Sequence, residues 1–161
     1  MARAIILKGP SGIGKSTVAS LIAKHHNYKH CDIDEIKWMF SHERSKERTE
    51  IGEYVGCVYT KELIKRKHNV IIEALPDEYI KKLLPLLKKH NYKIIQICLQ
   101  APLEQCIRNN ATRKKKGYDP EVIREVYDEL LSSNGDIIDA TDKYAQQIYN
   151  IIKKKYFWFL L

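Results

Sequence analysis

Apolar residues along the chain fall into two recurring patterns. Arg3 to Lys8, Tyr28 to Ile33, Asn69 to Glu73, Tyr92 to Leu99 and Asp136 to Ala140 are short runs rich in Ile or Val, bounded by polar, Gly or Pro residues. Runs of that length and content predict buried strands. Between them, apolar side chains recur at helical spacing: Val18, Leu21 and Ile22; Ile51, Val55, Val58, Tyr59 and Leu63; Ile80, Leu83, Leu84 and Leu87; Val122, Ile123, Val126, Tyr127 and Leu130. These groups predict amphipathic helices. Strand and helix alternate, which predicts an α/β fold of three layers: a five-stranded parallel sheet with right-handed crossovers and helices on both faces. Pro102 and Pro120 stand where helices begin, and Asp119 can cap the amides freed beside Pro120. With no repeat or low-complexity linker, residues 1–161 read as a single domain. Two segments break the pattern, the polar stretch Ser41 to Arg48 and the stretch Asn109 to Tyr118 with its run Arg113-Lys114-Lys115-Lys116-Gly117. Both are candidate mobile loops.

Composition narrows the class. The chain has 161 residues, 44% apolar and 30% charged, which suits a compact soluble domain. Its longest apolar run, Phe157 to Leu161, is far short of the roughly 20 residues of a membrane span, and no signal-peptide core precedes the first strand. The expected location is therefore cytoplasmic, with no membrane partner. The five-residue tail itself is open to three readings: packing on the sheet, a dimer contact or a junction to a further segment. A net charge of +8 favours an anionic partner, whether phosphate metabolite, nucleic acid or membrane surface. Charge alone does not choose among them, because 21 lysines against 7 arginines, beside 21 isoleucines, is also what A/T-rich codons produce. Cys31, Cys57, Cys98 and Cys106 form no C-x-x-C pair and read as reduced core or near-core residues. His25, His26 and His30 fit no familiar metal-ligand spacing and are expected in a solvated turn.

Directly after the first predicted strand comes Gly9-Pro10-Ser11-Gly12-Ile13-Gly14-Lys15-Ser16, with Thr17 behind it, which satisfies G-x-x-x-x-G-K-[ST] between a strand and a helix. Glycines let successive backbone amides converge on a phosphate at the N-terminus of the following helix. Lys15 supplies a point charge for the β and γ oxygens, and the Ser16 hydroxyl ligates Mg²⁺. The motif predicts a nucleoside triphosphate site. No N-K-x-D element is present to select guanine, and no run of apolar residues ending in Asp-Glu marks a motor. At the end of the second predicted strand stands Cys31-Asp32-Ile33-Asp34-Glu35-Ile36-Lys37. In an open α/β sheet the ligand crevice lies outside the carboxyl ends of the strands, which brings Asp32 or Asp34 beside the phosphates. There a carboxylate can take the proton of an attacking hydroxyl or hold a magnesium-bound water, while either acid could instead cap the next helix.

The order of cradle, strand-end Asp, R-N-x-x-x-R and basic glycine loop resembles the P-loop kinases of the polynucleotide 5′-hydroxyl kinase and zeta-toxin-like group, from Ile5 to about Ile151. The resemblance implies a nucleoside-kinase-like P-loop fold and an ATP- and Mg²⁺-dependent kinase with Asp34 as general base. It sets Lys37 where the polynucleotide kinases carry an Arg for the acceptor's phosphate, and Lys lacks that bidentate fork. Arg108 and Arg113 are implied to face the triphosphate and neutralise charge in the transition state, with a lid over about residues 109–118 to exclude water. Glu73, in Glu73-Ala74-Leu75-Pro76, is implied to hold Mg²⁺ through water or to recognise the acceptor. Phe40 to Lys67 walls the acceptor pocket, with Trp38, Arg44, Tyr54 and Tyr59 as stacking or phosphate-contacting candidates. The acceptor implied first is the 5′-hydroxyl end of a nucleic acid. A small hydroxyl-bearing molecule, such as a nucleoside, nucleotide, amino sugar or antibiotic, is the alternative, and a non-catalytic nucleotide-binding module is a third reading.

Overall fold

A computed structural model describes residues 1–73, 77–112, 117–131 and 135–161. Strands β1 (Arg3–Lys8), β2 (Lys29–Cys31), β3 (Val70–Glu73), β4 (Lys93–Gln100) and β5 (Asp136–Asp139) form one parallel sheet in the order β2-β3-β1-β4-β5. The helices are α1 (Lys15–His26), α2 (Ile33–Phe40), α3 (Lys46–Lys65), α4 (Asp77–Lys89), α5 (Leu103–Ala111), α6 (Pro120–Leu131), α7 (Ala145–Lys155) and α8 (Phe157–Leu160). This is the α/β architecture that the alternating runs predict.

The pleat sorts the core into two layers. Ile5 and Leu7 of β1, Ile71 of β3 and Ile97 and Leu99 of β4 point to one face, where Val18 and Ile22 of α1 and Ile148 and Ile152 of α7 cover them. Ala4, Ile6, Val70 and Ile72 point to the other, under Ile64 of α3 and Leu83 and Leu87 of α4. Each such fully buried side chain contributes about 1.5–3 kcal/mol. Being buried on both faces is why these strands read as continuous apolar runs and not as alternating ones. The second strand stops at Cys31, two residues before its expected end. The cause is local: the Asp32 carboxylate accepts from the amides of Asp34 at 2.9 Å and Glu35 at 3.2 Å, and so starts α2. The tail packs in part. Phe159 and Leu160 join the core and the Tyr28 hydroxyl donates to the Phe159 carbonyl at 3.0 Å, whereas Phe157, Trp158 and Leu161 are exposed.

Three expectations are corrected. On α3 the inward stripe is Arg48, Gly52, Gly56, Thr60 and Ile64, not the apolar set, and Ile51, Tyr54, Val55, Val58 and Tyr59 face outward. Helix α2 lies so close that a Cβ on Gly56 would come within 3.2 Å of Ile33, and one on Gly52 would overlap Lys37. The polar stretch 41–48 is not a long loop, because Ser45 caps α3 by accepting from the Arg48 amide. Arg48 itself is buried: its Nε donates to the carbonyls of Lys37 and Ser41, closing the end of α2, and its guanidinium lies 4.5 Å from the Trp38 ring centre. The histidines are not in a solvated turn either. His25 and His26 end α1 and pack against the Tyr149 ring, and burial, with Lys153 nearby, lowers the His26 pKa.

The inverted packing of α3 has a direct test in denaturant unfolding. Val55→Lys is expected to change stability by no more than about 0.5 kcal/mol, as for a surface site. Gly56→Leu is expected to cost about 2 kcal/mol or more, because α2 leaves no room for the added side chain. The opposite ranking would return Val55 to the core.

Candidate functional site

Because the sheet is parallel, the carboxyl ends of β1, β2 and β3 open on one edge, and the segments that follow them meet there. The cradle, residues 9–16, leaves β1 and enters α1. Its backbone is one that only glycine adopts without strain: Gly9 has φ 142° and Gly12 φ 85°. A Cβ on Gly9 would lie 2.7 Å from the Leu99 carbonyl oxygen, and one on Gly12 would lie 2.3 Å from that of Cys106. The loop is thus pressed onto β4 and α5. Gly14 caps α1 without a side chain, and no acidic residue occupies the first turn. The positive end of α1 is therefore left to an outside anion. Lys15 Nζ arches back to the Pro10 carbonyl at 3.0 Å.

Behind the cradle, the Ser16 hydroxyl donates to Glu73 Oε2 at 2.9 Å, and Glu73 Oε1 pairs with His30 Nε2 at 2.6 Å. Glu73 is 8% exposed, so this contact with an imidazole is what makes its burial tolerable. Burial opposes protonation of His30, but the hydrogen bond and charge of Glu73, with Asp32 and Glu35, outweigh it and raise the pKa. Asp32 is pushed up to about 6, first by burial and then by the charge of Glu73. Donor atoms of His30, Asp32 and Glu73 all lie within 4.8 Å of one another. The start of α1, a serine hydroxyl and two crowded carboxylates fit a magnesium-bound triphosphate.

The acceptor-side candidates lie on α2 and the turn after it. Asp34 is exposed, with Lys37 Nζ at 3.9 Å from one carboxylate oxygen and the Tyr118 hydroxyl at 3.3 Å from the other. Lys37 is largely buried; it leans its stem on Gly52 and points Nζ between Asp34 and Glu53, the latter 3.8 Å away. The Arg44 guanidinium sits 4.1 Å from the Tyr118 ring centre and donates to the Gly117 carbonyl at 3.0 Å. Tyr54 and Tyr59 are exposed on the outward side of α3, whereas Trp38 is half-buried under Arg48.

Sequence reasoning missed two residues here. His30 reads as loop because its partner Glu73 lies 43 positions away. Asn110, 3% exposed, accepts from Ser11 Oγ at 3.2 Å in the cradle; it also accepts from the Tyr118 amide at 3.1 Å and donates to the Tyr118 carbonyl at 2.7 Å. Of the stretch 109–118 expected as a lid, residues 109–111 are the last turn of α5, and Asn109 donates to the Gly12 carbonyl. Arg108 is exposed, and helical spacing puts it on the side of α5 opposite Cys106 and Asn110. Arg113 to Lys116, and Ala74 to Pro76, lie outside the described residues.

A phosphate cradle between the first strand and first helix of a β2-β3-β1-β4-β5 parallel sheet defines a P-loop NTPase with a kinase-like fold. The AAA domain family model matches residues 5–134, and the chain belongs to that family. Solved structures agree on the fold. A candidate kinase from Chloroflexus aurantiacus j-10-fl superposes with a TM-score of 0.72 at 17% identity, covering 99% of each chain. A gluconokinase from Sinorhizobium meliloti 1021 gives 0.63 at 15% identity over 97% of each chain. The Pnkp1/Rnl/Hen1 RNA repair complex gives 0.65 at 22% identity, over 81% of this chain and 44% of that one. No curated protein matches the chain in sequence.

The elevated Asp32 pKa has a defined sign. Its folded value of about 6 exceeds the ordinary 3.8, so ionising it costs folding free energy, and its contribution to stability falls as pH rises across that interval. Asn keeps the cap oxygen but does not ionise. The melting temperature of Asp32→Asn, relative to the parent, is therefore expected to climb between pH 4 and pH 6 and then level off. A difference independent of pH would mean that Asp32 ionises as it does in water.

Proposed function

We propose that the chain is an ATP- and Mg²⁺-dependent kinase that phosphorylates a hydroxyl group of a small molecule. The observation that carries this reading is the convergence, at one sheet edge, of the phosphate cradle with the carboxylates of Asp32, Asp34 and Glu73. Binding of ATP·Mg²⁺ alone needs the cradle with Glu73 and Asp32 and has no use for Asp34. Bound Mg²⁺ supplies positive charge to the phosphate oxygens, with Ser16 as ligand and Glu73 and Asp32 to hold it through water.

The residues of the chain then divide the work. Backbone amides of residues 11–16, with Thr17 behind them, receive the phosphates, and Lys15 exchanges the Pro10 carbonyl for a phosphate oxygen. Asp34 accepts the proton of the attacking hydroxyl as its oxygen bonds to the γ-phosphorus and the bond from that phosphorus to the bridging oxygen breaks, leaving ADP. Arg113 neutralises charge on the transferred group, whereas Arg108, implied for the same role, stands on the side of α5 away from the cradle and is left out of it. A small acceptor is supported by Lys37, which takes the place of the Arg that reads an acceptor phosphate in the polynucleotide kinases. It is largely buried, with its stem on Gly52 and its Nζ between Asp34 and Glu53. A polynucleotide 5′-hydroxyl is the second reading, supported by the net charge of +8. A cytoplasmic location is the setting that we propose for either substrate.

Transfer from γ-labelled ATP to nucleosides, sugars and aminoglycosides, set beside 5′-hydroxyl oligonucleotides, decides between them. Label on oligonucleotides alone, with a steep log-salt dependence of binding, would favour the second reading. Lys15→Ala is expected to lower turnover by about 10²-fold or more while changing stability by less than about 0.5 kcal/mol; unchanged turnover would remove the cradle from the chemistry. Asp34→Asn is expected to bind ATP·Mg²⁺ as the parent does in calorimetry and to lose about 10²-fold or more in transfer. A comparable loss confined to Asp32→Asn would identify Asp32 as the base. Arg113→Ala should lower kcat more than ATP affinity while Arg108→Ala changes neither, whereas equal few-fold losses in Arg113→Ala would reduce that residue to a binding contact.

A further inference from the structure

Asp34 and Arg44, assigned above to the acceptor side, are separated by ten positions and lie on different elements, yet one side chain engages both. The phenol of Tyr118 donates to Asp34 Oδ2 at 3.3 Å and lays its ring 4.1 Å under the Arg44 guanidinium. A hydroxyl on the general base and a ring against a cation are what an acceptor carrying a ring and a hydroxyl would offer. Tyr118 is also fixed at its backbone. Asn110 accepts from its amide and donates to its carbonyl, and the same Asn110 receives Ser11 of the cradle. A side chain on Gly117 would collide with Asn110, its Cβ lying 2.6 Å from that residue's carbonyl oxygen, so the chain enters Tyr118 along a tightly set path.

We propose that Tyr118 occupies the acceptor's own place: its hydroxyl stands on Asp34 where the attacking hydroxyl binds, and its ring fills the space beneath Arg44 that an acceptor ring takes. This rests on the kinase reading above. Two consequences follow from the contacts. The acceptor is a hydroxylated ring compound of about the width of a phenol, because that is what Arg44 and Asp34 hold between them. Without it, Tyr118 occupies one oxygen of the exposed Asp34 carboxylate and competes there with water, which lowers loss of the γ-phosphoryl to solvent. Acceptor binding and release of Asp34 from Tyr118 are then one event.

The test uses water as the acceptor and needs no knowledge of the natural one. Phosphate release from ATP·Mg²⁺ is measured for the full chain, Tyr118→Phe, Asp34→Asn and Tyr118→Phe with Asp34→Asn, with ATP affinity measured in parallel by calorimetry. Phe keeps the ring on Arg44 and removes only the hydroxyl. Tyr118→Phe is expected to raise hydrolysis by about three- to tenfold at unchanged ATP affinity, the range that loss of one competing hydrogen bond allows. The double variant is expected to fall back to the Asp34→Asn rate. Hydrolysis by Tyr118→Phe at or below the parent rate, with ATP bound normally, would overturn the proposal. So would a rise that survives in the double variant, which would mean that Tyr118 restrains something other than Asp34. Failure of the kinase reading has a different signature: no ATP binding in the parent, or hydrolysis unaffected by Lys15→Ala.

Discussion

The carboxylate of Glu73 accepts a hydrogen bond from a hydroxyl of the first helix with one oxygen and pairs with an imidazole of the neighbouring strand through the other, and the arrangement of the site depends on its keeping both. A buried carboxylate without such partners would cost several kcal/mol, so the three elements that supply and partner it are held in register by the penalty for separating. That register fixes where Ser16 sits relative to the cradle and how near Asp32 comes to a second negative charge. The crowding of Asp32 and Glu73 is the electrostatic counterpart: two carboxylates and a hydroxyl are gathered where a cation relieves them, and His30 partly relieves them meanwhile.

The cradle is held from the opposite side by packing. Its glycines bring backbone against the carbonyls of Leu99 and Cys106, so β4 and α5 form the floor under the loop. Through Asn110, α5 also grips the chain at Tyr118, which makes the floor continuous with the acceptor side. The cradle and the chain at Tyr118 are therefore mounted on one buried amide. The polar contacts are few, but each joins elements far apart in sequence, which is how a small domain keeps a crevice open without letting its walls drift.

The strands and the cradle were legible in the sequence because each is a local signal: a short apolar run, or a glycine pattern bounded by strand and helix. Strand order was not, since nothing in β1 or β4 states which neighbour it takes. The face of α3 was misread for a physical reason. Gly52 and Gly56 bury nothing of their own and give no hydrophobic signal, yet they allow the closest approach of α2, and a periodicity count therefore chose the outward valines and tyrosines. Arg48 was hidden in the same way, since a buried guanidinium that satisfies the carbonyls closing α2 looks like one more charge in a polar stretch. Asp32 and Asp34 were both visible, but only the fold separates the capping acid from the one that meets Tyr118. His30 and Asn110 depend on partners 43 and 99 positions away and could not be found from spacing.

The glycine contact between α2 and α3 divides the molecule into parts that can diverge at different rates. Helix α2 carries Asp34 at its start and is seated on α3 by backbone proximity, whereas α3 is seated on the sheet side through Thr60, whose hydroxyl pairs with that of Tyr79 on α4, and through buried Ile64. Substitutions at His42 to Arg44 can reshape the surroundings of Tyr118 and Asp34 without touching the two core layers or the cradle. The fold can thus hold its phosphate chemistry constant while lineages try new substrates on it, and two small residues on one helix provide that freedom.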